Sequence, residues 1–146
     1  MSLEILPAVL KRIHLHVEAA YPEEGAGLML GEIDQDRRRV VEILTLPNVR
    51  EHTARHNRYL LSPQDYLKGE AEADRLGLDV LGVFHSHPDH PNQPSEFDRK
   101  WAWPNFSYLI TSVIMGKAHE SRAWRLTEDR TKFFEEEIEN VENTIA

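Results

Sequence analysis

The stretch Val80-Leu81-Gly82-Val83-Phe84-His85-Ser86-His87 constrains this chain more than any other. Its five apolar residues read as a buried strand that delivers the chain straight into two histidines. Residues at i and i+2 of a strand point to the same side, so both imidazoles can converge on one ion from a stiff β-edge. A loop containing Pro88, Pro91 and Pro94 follows and brings back Asp98, eleven residues after His87. His85, His87 and Asp98 then form the kind of set that catalytic zinc sites use, three protein ligands with the fourth position left to water. A His-x-His pair alone is more often two surface or otherwise satisfied histidines, and Ser95 with Asp98 alone would only start a helix as a capping box. The two roles of Asp98 are compatible if its side chain turns toward the metal. What singles the segment out is the joint occurrence of His-x-His, Ser95 and Asp98 behind an apolar strand.

The chain has no cysteine, which removes disulfides, thiolate ligands and cysteine nucleophiles. Any zinc must therefore sit on nitrogen and oxygen donors, which suits an open catalytic site better than a closed structural one. A length of 146 residues predicts a single domain over residues 1–146, and 40% hydrophobic with 29% charged residues is ordinary globular composition. The formal net charge of -8 repels phosphate backbones and anionic lipid, so no nucleic-acid or membrane partner is expected. Met1 to His14 contains Glu4 and Pro7 with no uninterrupted apolar core, and no run is long enough to span a bilayer. The expectation is a cytoplasmic protein.

Leu6, Val9, Leu10, Ile13 and Val17 recur at helical spacing, predicting a first helix with Ser2 upstream as a cap and Pro22 as its end. Gly27–Gly31 and Val40–Leu46 predict strands, joined as a hairpin across Asp34–Arg39. Residues 50–58 are polar and basic, and Tyr59-Leu60-Leu61 reads as a strand end. Ser62-Pro63-Gln64-Asp65 combines a capping serine, proline at the first helical position and an acid three after the cap, opening a helix to about Leu76 that Gly77 closes. A short helix from Ser95 to about Trp103 and strands over Tyr108–Ile114 and Ala123–Leu126 follow. Phe133–Ala146 is ambiguous: its start reads as a last strand and its acidic end as a frayed helix. The pattern predicts an α+β or mixed α/β/α domain, with a mostly hairpin-connected sheet.

The spacing His85-x-His87-Pro88, seven residues to Ser95 and two more to Asp98 resembles the H-x-H-x7-S-x2-D motif of the JAMM (MPN-plus) zinc metallopeptidases. Glu24-Gly25-Ala26-Gly27-Leu28-Met29-Leu30-Gly31 is similar to that family's E-x-x-G-L-x-x-G segment. Leu46-Pro47-Asn48, Trp101 and Tyr108-Leu109-Ile110 fit as well, so the resemblance covers roughly residues 5 to 128. It implies an α/β/α sandwich-like, cytidine-deaminase-like fold whose mixed, largely antiparallel sheet is flanked by helices. It also implies one zinc per chain on His85, His87 and Asp98, Glu24 as general base and Ser95 as the oxyanion-stabilising serine. Zinc brings the pKa of a bound water down to about 7, and a base beside it can take the proton. The implied reaction is hydrolysis of a peptide or isopeptide bond at the glycine-rich tail of a ubiquitin-like protein. Only nine residues separate Asp98 from the strand at Tyr108, leaving no room for the insertions of eukaryotic members. That favours the compact prokaryotic form, with ubiquitin-like sulfur-carrier proteins or their small conjugates as partners. Many members carry alanine where Asn92 sits, and a polar side chain there bears on the substrate groove.

Several features compete with this reading. Glu23 rivals Glu24 as the base, but the E-x-x-G-L spacing selects Glu24. His52 and His56 lack the His-Glu-x-x-His order of the zincins and stand among Arg50, Arg55 and Arg58, as a solvated or strand-edge pair would. His14 and His16 are expected at the surface, His90 lies in the loop without a motif position, and Glu135-Glu136-Glu137 reads as a solvated face. The chain is too short for an amidohydrolase barrel, lacks the cysteines of zinc deaminases, and reverses the ligand order usual in non-haem iron oxygenases. The remaining alternative is a catalytically silent MPN scaffold that binds a protein partner, although such scaffolds typically lack a ligand that this chain keeps.

Overall fold

Leu28, Met29 and Leu30 are consecutive and all fully buried. Successive strand residues face opposite ways, so the sheet that contains them must be covered on both faces. The computed structural model, which describes residues 2–46, 61–103 and 105–140, shows that arrangement. The elements run β1 (Ser2–Ile5), α1 (Pro7–Ala20), β2 (Ala26–Asp34), β3 (Arg37–Leu46), α2 (Pro63–Leu76), β4 (Asp79–Pro88), α3 (Glu96–Trp101), β5 (Ser107–Ile114), β6 (Lys117–Leu126) and β7 (Phe133–Asn140). The protein is α+β with one mixed sheet. Its strand order is β1-β3-β2-β4-β5-β6-β7, closed into a barrel because β1 pairs in parallel with both β3 and β7. Pairing is antiparallel at β2–β3, β2–β4, β5–β6 and β6–β7, and parallel at β4–β5.

The two faces carry separate cores. Val9, Ile13 and Val17, at i, i+4 and i+8 on α1, pack with Met29, Phe84, Leu109 and Val113. Leu28, Leu30, Val83 and Tyr108 point the other way and pack with Ala73 of α2 and with Ala102 and Phe106. Gly69 of α2 sits against the sheet so closely that a Cβ there would lie 2.2 Å from Leu28 Cδ1. The start of α2 follows its sequence signals. Ser62 Oγ accepts from the Asp65 amide, the Asp65 carboxylate accepts from the Ser62 amide, and Gly77 ends the helix at φ 71°.

Other expectations need correction. Ser2 does not cap α1: it begins β1, and Leu6 is the N-cap with Pro7 in the first turn. The hairpin turn is only Gln35-Asp36, because the polar residues Asp34 and Arg37–Arg39 continue the strands. Helix α3 stops at Trp101, short of Trp103, whereas the start of the C-terminal segment is strand β7, as its sequence suggests. Strand alternation also corrects the acidic run, since Glu135 and Glu137 are exposed whereas Glu136 is 1% exposed and faces Arg125 at 2.6 Å. His14 and His16 are half-buried, one hydrogen-bonded to Ser121 and the other edge-on to Phe84. The strand end at Tyr59-Leu60, the His52/His56 pair, the Pro47-Asn48 match and the frayed end from residue 141 lie outside the described residues. Among the described residues no helix is long and apolar enough to cross a membrane.

Candidate metal centre

Strand β4 lies inside the sheet, with His85 paired to Ala26 of β2 and to Ile110 of β5. That double pairing fixes the backbone from which His85 and His87 project. Because β4 and β5 are parallel, the chain must cross over between them. The crossover from Asp89 to Phe106 carries the proline loop and α3, so it lies beyond the carboxyl end of β4, where sheets of this kind commonly hold their ligands.

The structure brings His85, His87 and Asp98 together. One donor atom from each lies within 4.8 Å of the others, the only such group found among the described residues. His87 Nε2 stands 3.1 Å from Asp98 Oδ2, and His85 Nε2 stands 3.6 Å from Asp98 Oδ1. Donors about 2.0–2.1 Å from a tetrahedral zinc would be about 3.3 Å apart, so the set fits such an ion with small adjustments. Two imidazole nitrogens and a carboxylate, without thiolate, are also the donor chemistry of an open zinc site. His87 Nδ1 lies 2.8 Å from the Pro91 carbonyl, which can only accept; Nδ1 therefore carries a hydrogen, which leaves Nε2, the atom facing Asp98, as the one that would coordinate a metal.

Asp98 serves the helix and the cluster at once. Its Oδ2 accepts from the Ser95 amide at 2.8 Å, and its own amide donates to Ser95 Oγ at 3.0 Å. The capping box thus aims the carboxylate at the histidines, and the Ser95 hydroxyl proton remains available to another acceptor.

Glu24 is 4% exposed in the turn between α1 and β2, and its Oε1 stands 3.5 Å from His85 Nδ1, at the limit of hydrogen bonding. Glu23, its rival, is only half-buried. The electrostatics are those of a cation site. Burial favours neutral His85, yet the charges of Asp98 and Glu24 outweigh it and raise the imidazole to about 9. Burial also works against the Asp98 carboxylate, yet His85 and His87 hold its pKa below the usual carboxylate range. A proton on His85 balances the two carboxylates where a metal ion would otherwise do so.

A cavity of about 530 Å³ opens onto this cluster, lined by Glu24, His87, Ser95 and Asp98 together with the loop prolines and Phe97. His90, which has no motif position, also lines it. Sequence reasoning missed Ser86, the central residue of His-x-His. It is fully buried, its Oγ accepts from the Gly25 amide at 2.9 Å and its amide donates to the Gly25 carbonyl at 3.1 Å. These two bonds hold the Glu24 turn against the histidine strand. Its only signal in the sequence was a small hydroxyl residue facing away from both histidines.

Residues 6–127 match the family described as prokaryotic homologs of the JAB domain. The chain belongs to that family. Similar proteins include a "Probable TtuB-protein conjugate cleaving protease" of Thermus thermophilus, 40% identical over 99 residues, 68% of this chain and 61% of that protein. A "Desampylase" of Haloferax volcanii is 34% identical over 92 residues, 62% of this chain and 63% of that protein. The chain thus spans about three fifths of the length of these two relatives. The solution structure of a protein from Salinibacter ruber is 41% identical, with a TM-score of 0.76 over 98% of this chain and 94% of that one.

Proposed function

We propose that this chain is a zinc-dependent isopeptidase of the JAMM type that cleaves conjugates at the glycine-rich tail of a ubiquitin-like sulfur-carrier protein. In this reading His85, His87 and Asp98 hold one zinc, Glu24 is the general base and Ser95 stabilises the oxyanion. The observation that carries it is the convergence of the three donors beside a cavity that His87, Asp98, Glu24 and Ser95 line. The relatives support the substrate class, since one is named for cleaving TtuB conjugates and another as a desampylase. Cores on both faces of the sheet support a single sandwich-like α/β/α domain over residues 1–146.

Zinc, when bound, supplies a lowered pKa for water and a Lewis acid for the scissile carbonyl. Glu24, buried beside His85, takes the proton from the attacking water and passes it to the departing amine as the C–N bond breaks. Ser95, at the start of α3, directs its hydroxyl hydrogen at the carbonyl oxygen as negative charge grows there. Loss of one such donor typically costs about 10²–10³ in rate. His87, fixed by the Pro91 carbonyl, and His85, fixed between β2 and β5, keep the donor set in place.

The test is incubation of zinc-loaded protein with each sulfur carrier of the same organism, conjugated through its C-terminus to a lysine amine, with mass spectrometry of the products. Release of the free carrier by the wild type, and none by Glu24→Gln with full zinc, is the expected result. A zinc-loaded wild type that binds conjugates without cleaving any of them would replace the enzyme by a scaffold.

A further inference from the structure

The loop between β4 and α3 is tied to the rest of the fold at Asp89, His90 and Asn92, and two of these bonds fall on Asn92. This residue is 8% exposed although it sits in a surface loop. Its Nδ2 donates to the Glu120 carbonyl at 2.8 Å, and its own carbonyl accepts from the Trp124 indole Nε1 at 3.0 Å. Both partners belong to β6, four residues apart, so their bonds fasten one loop residue to the sheet at two points. The residue immediately before it is Pro91, whose carbonyl accepts from His87 Nδ1. The Pro91 carbonyl lies in one peptide plane with the Asn92 nitrogen and Cα, so the anchoring of Asn92 bears directly on its direction.

We propose that Asn92, bonded to Glu120 and Trp124 on β6, is a positioning residue that aims the Pro91 carbonyl and so fixes the tautomer and ring orientation of His87. The inference rests on the reading of His85, His87 and Asp98 as metal ligands and extends it to a residue that touches neither metal nor substrate. The partner of a ligating histidine typically controls metal affinity by about 10–100-fold. Asn92 acts one link further out, so a loss of about 10-fold is expected when its side-chain donor is removed.

The decisive variant is Asn92→Asp, which keeps the volume and removes the Nδ2 donor facing Glu120. Trp124→Phe keeps a ring and removes the indole N–H, and it serves if the Asn92 variants do not fold. Zinc affinity is measured by competition with a chromogenic chelator, the Co²⁺-loaded ligand-field spectrum reports donor geometry, and nitrogen NMR of the zinc-loaded protein follows the His87 Nδ1–H. The expected result is about 10-fold weaker zinc, an altered Co²⁺ spectrum and a rapidly exchanging Nδ1–H in both variants, measured below the melting temperature that each retains without metal. Wild-type zinc affinity, spectrum and Nδ1–H in Asn92→Asp and Trp124→Phe would overturn the positioning role and leave the metal site standing. A wild-type protein that takes up no zinc would instead overturn the metal reading itself.

Discussion

Replacing Ser86 by alanine tests how the metal strand and the base turn are held together. The side chain is fully buried and its Oγ accepts from the Gly25 amide at 2.9 Å, while the reciprocal amide bond to the Gly25 carbonyl remains after the change. Ser86→Ala leaves the Gly25 amide without its acceptor in a buried position, a loss of about 1–3 kcal/mol. At this chain length each kcal/mol corresponds to roughly 2–4 °C in Tm, so a fall of roughly 2–12 °C is expected. Glu24 is the next residue along, and its carboxylate meets His85 Nδ1 at 3.5 Å, so a displaced turn moves the base from its place. The variant should retain stoichiometric zinc, because His85 and His87 face away from Ser86 and β4 stays paired on both sides. Its kcat should fall about 10-fold or more, since misplacement of a catalytic group by 1 Å can cost about 10² in rate. The assays are thermal unfolding, zinc content and conjugate hydrolysis on the same preparation. Wild-type Tm and kcat together would refute the argument that this hydroxyl fastens Glu24 to the histidine strand.

Other consequences are more direct. His87→Ala should abolish stoichiometric zinc by elemental analysis, and full retention would move the metal elsewhere. Glu24→Gln should keep zinc and Tm while kcat drops by about 10²–10⁴, whereas Glu23→Gln should match the wild type; the reverse would shift the base by one residue. Ser62→Ala removes the cap of α2, away from the cavity, and should cost about 1 kcal/mol in urea unfolding with turnover per folded molecule unchanged. In the metal-free protein the raised pKa of His85 contributes stability that is complete below about pH 6.5 and is lost as pH rises through about 9. Metal-free Tm should therefore decline over that window and zinc uptake near neutral pH should release a proton; a flat profile without proton release would contradict the charge balance assigned to the site.

The parts of this protein that were legible in its sequence are those in which neighbours along the chain decide the outcome. The α2 boundaries followed from Ser62, Pro63, Asp65 and Gly77 because capping and left-handed closure are settled within a few residues. The convergence of His85 and His87 followed from strand alternation, and the return of Asp98 from a short, proline-limited crossover. Closure of the barrel was not legible. Ser2–Ile5 is four residues long, too short to show a period, and it becomes a strand only through partners at Arg37–Val40 and Glu137–Asn140. Glu136 was misread for the same reason: a run of three acids looks solvated until β7 is recognised and its alternate residue turns inward to Arg125.

The supports of the candidate site share that dependence on distance. Ser86 meets Gly25 sixty-one residues away, and Asn92 meets Glu120 and Trp124 from twenty-eight and thirty-two residues away. None of these pairs has a spacing that a local rule could recognise, and each is a polar contact between a loop and a strand from another part of the sheet. The groups that could bind a metal were readable because their chemistry demands particular residue types at a particular separation. The groups that hold them are chosen by geometry alone, where serine, asparagine and tryptophan serve because a single donor or acceptor happens to be needed at that point. A metal motif found in sequence therefore locates the chemistry and leaves its rigidity to be found in the fold. In this protein that rigidity runs from β6 through Asn92 to the Pro91 carbonyl and His87, and from Ser86 through Gly25 to Glu24.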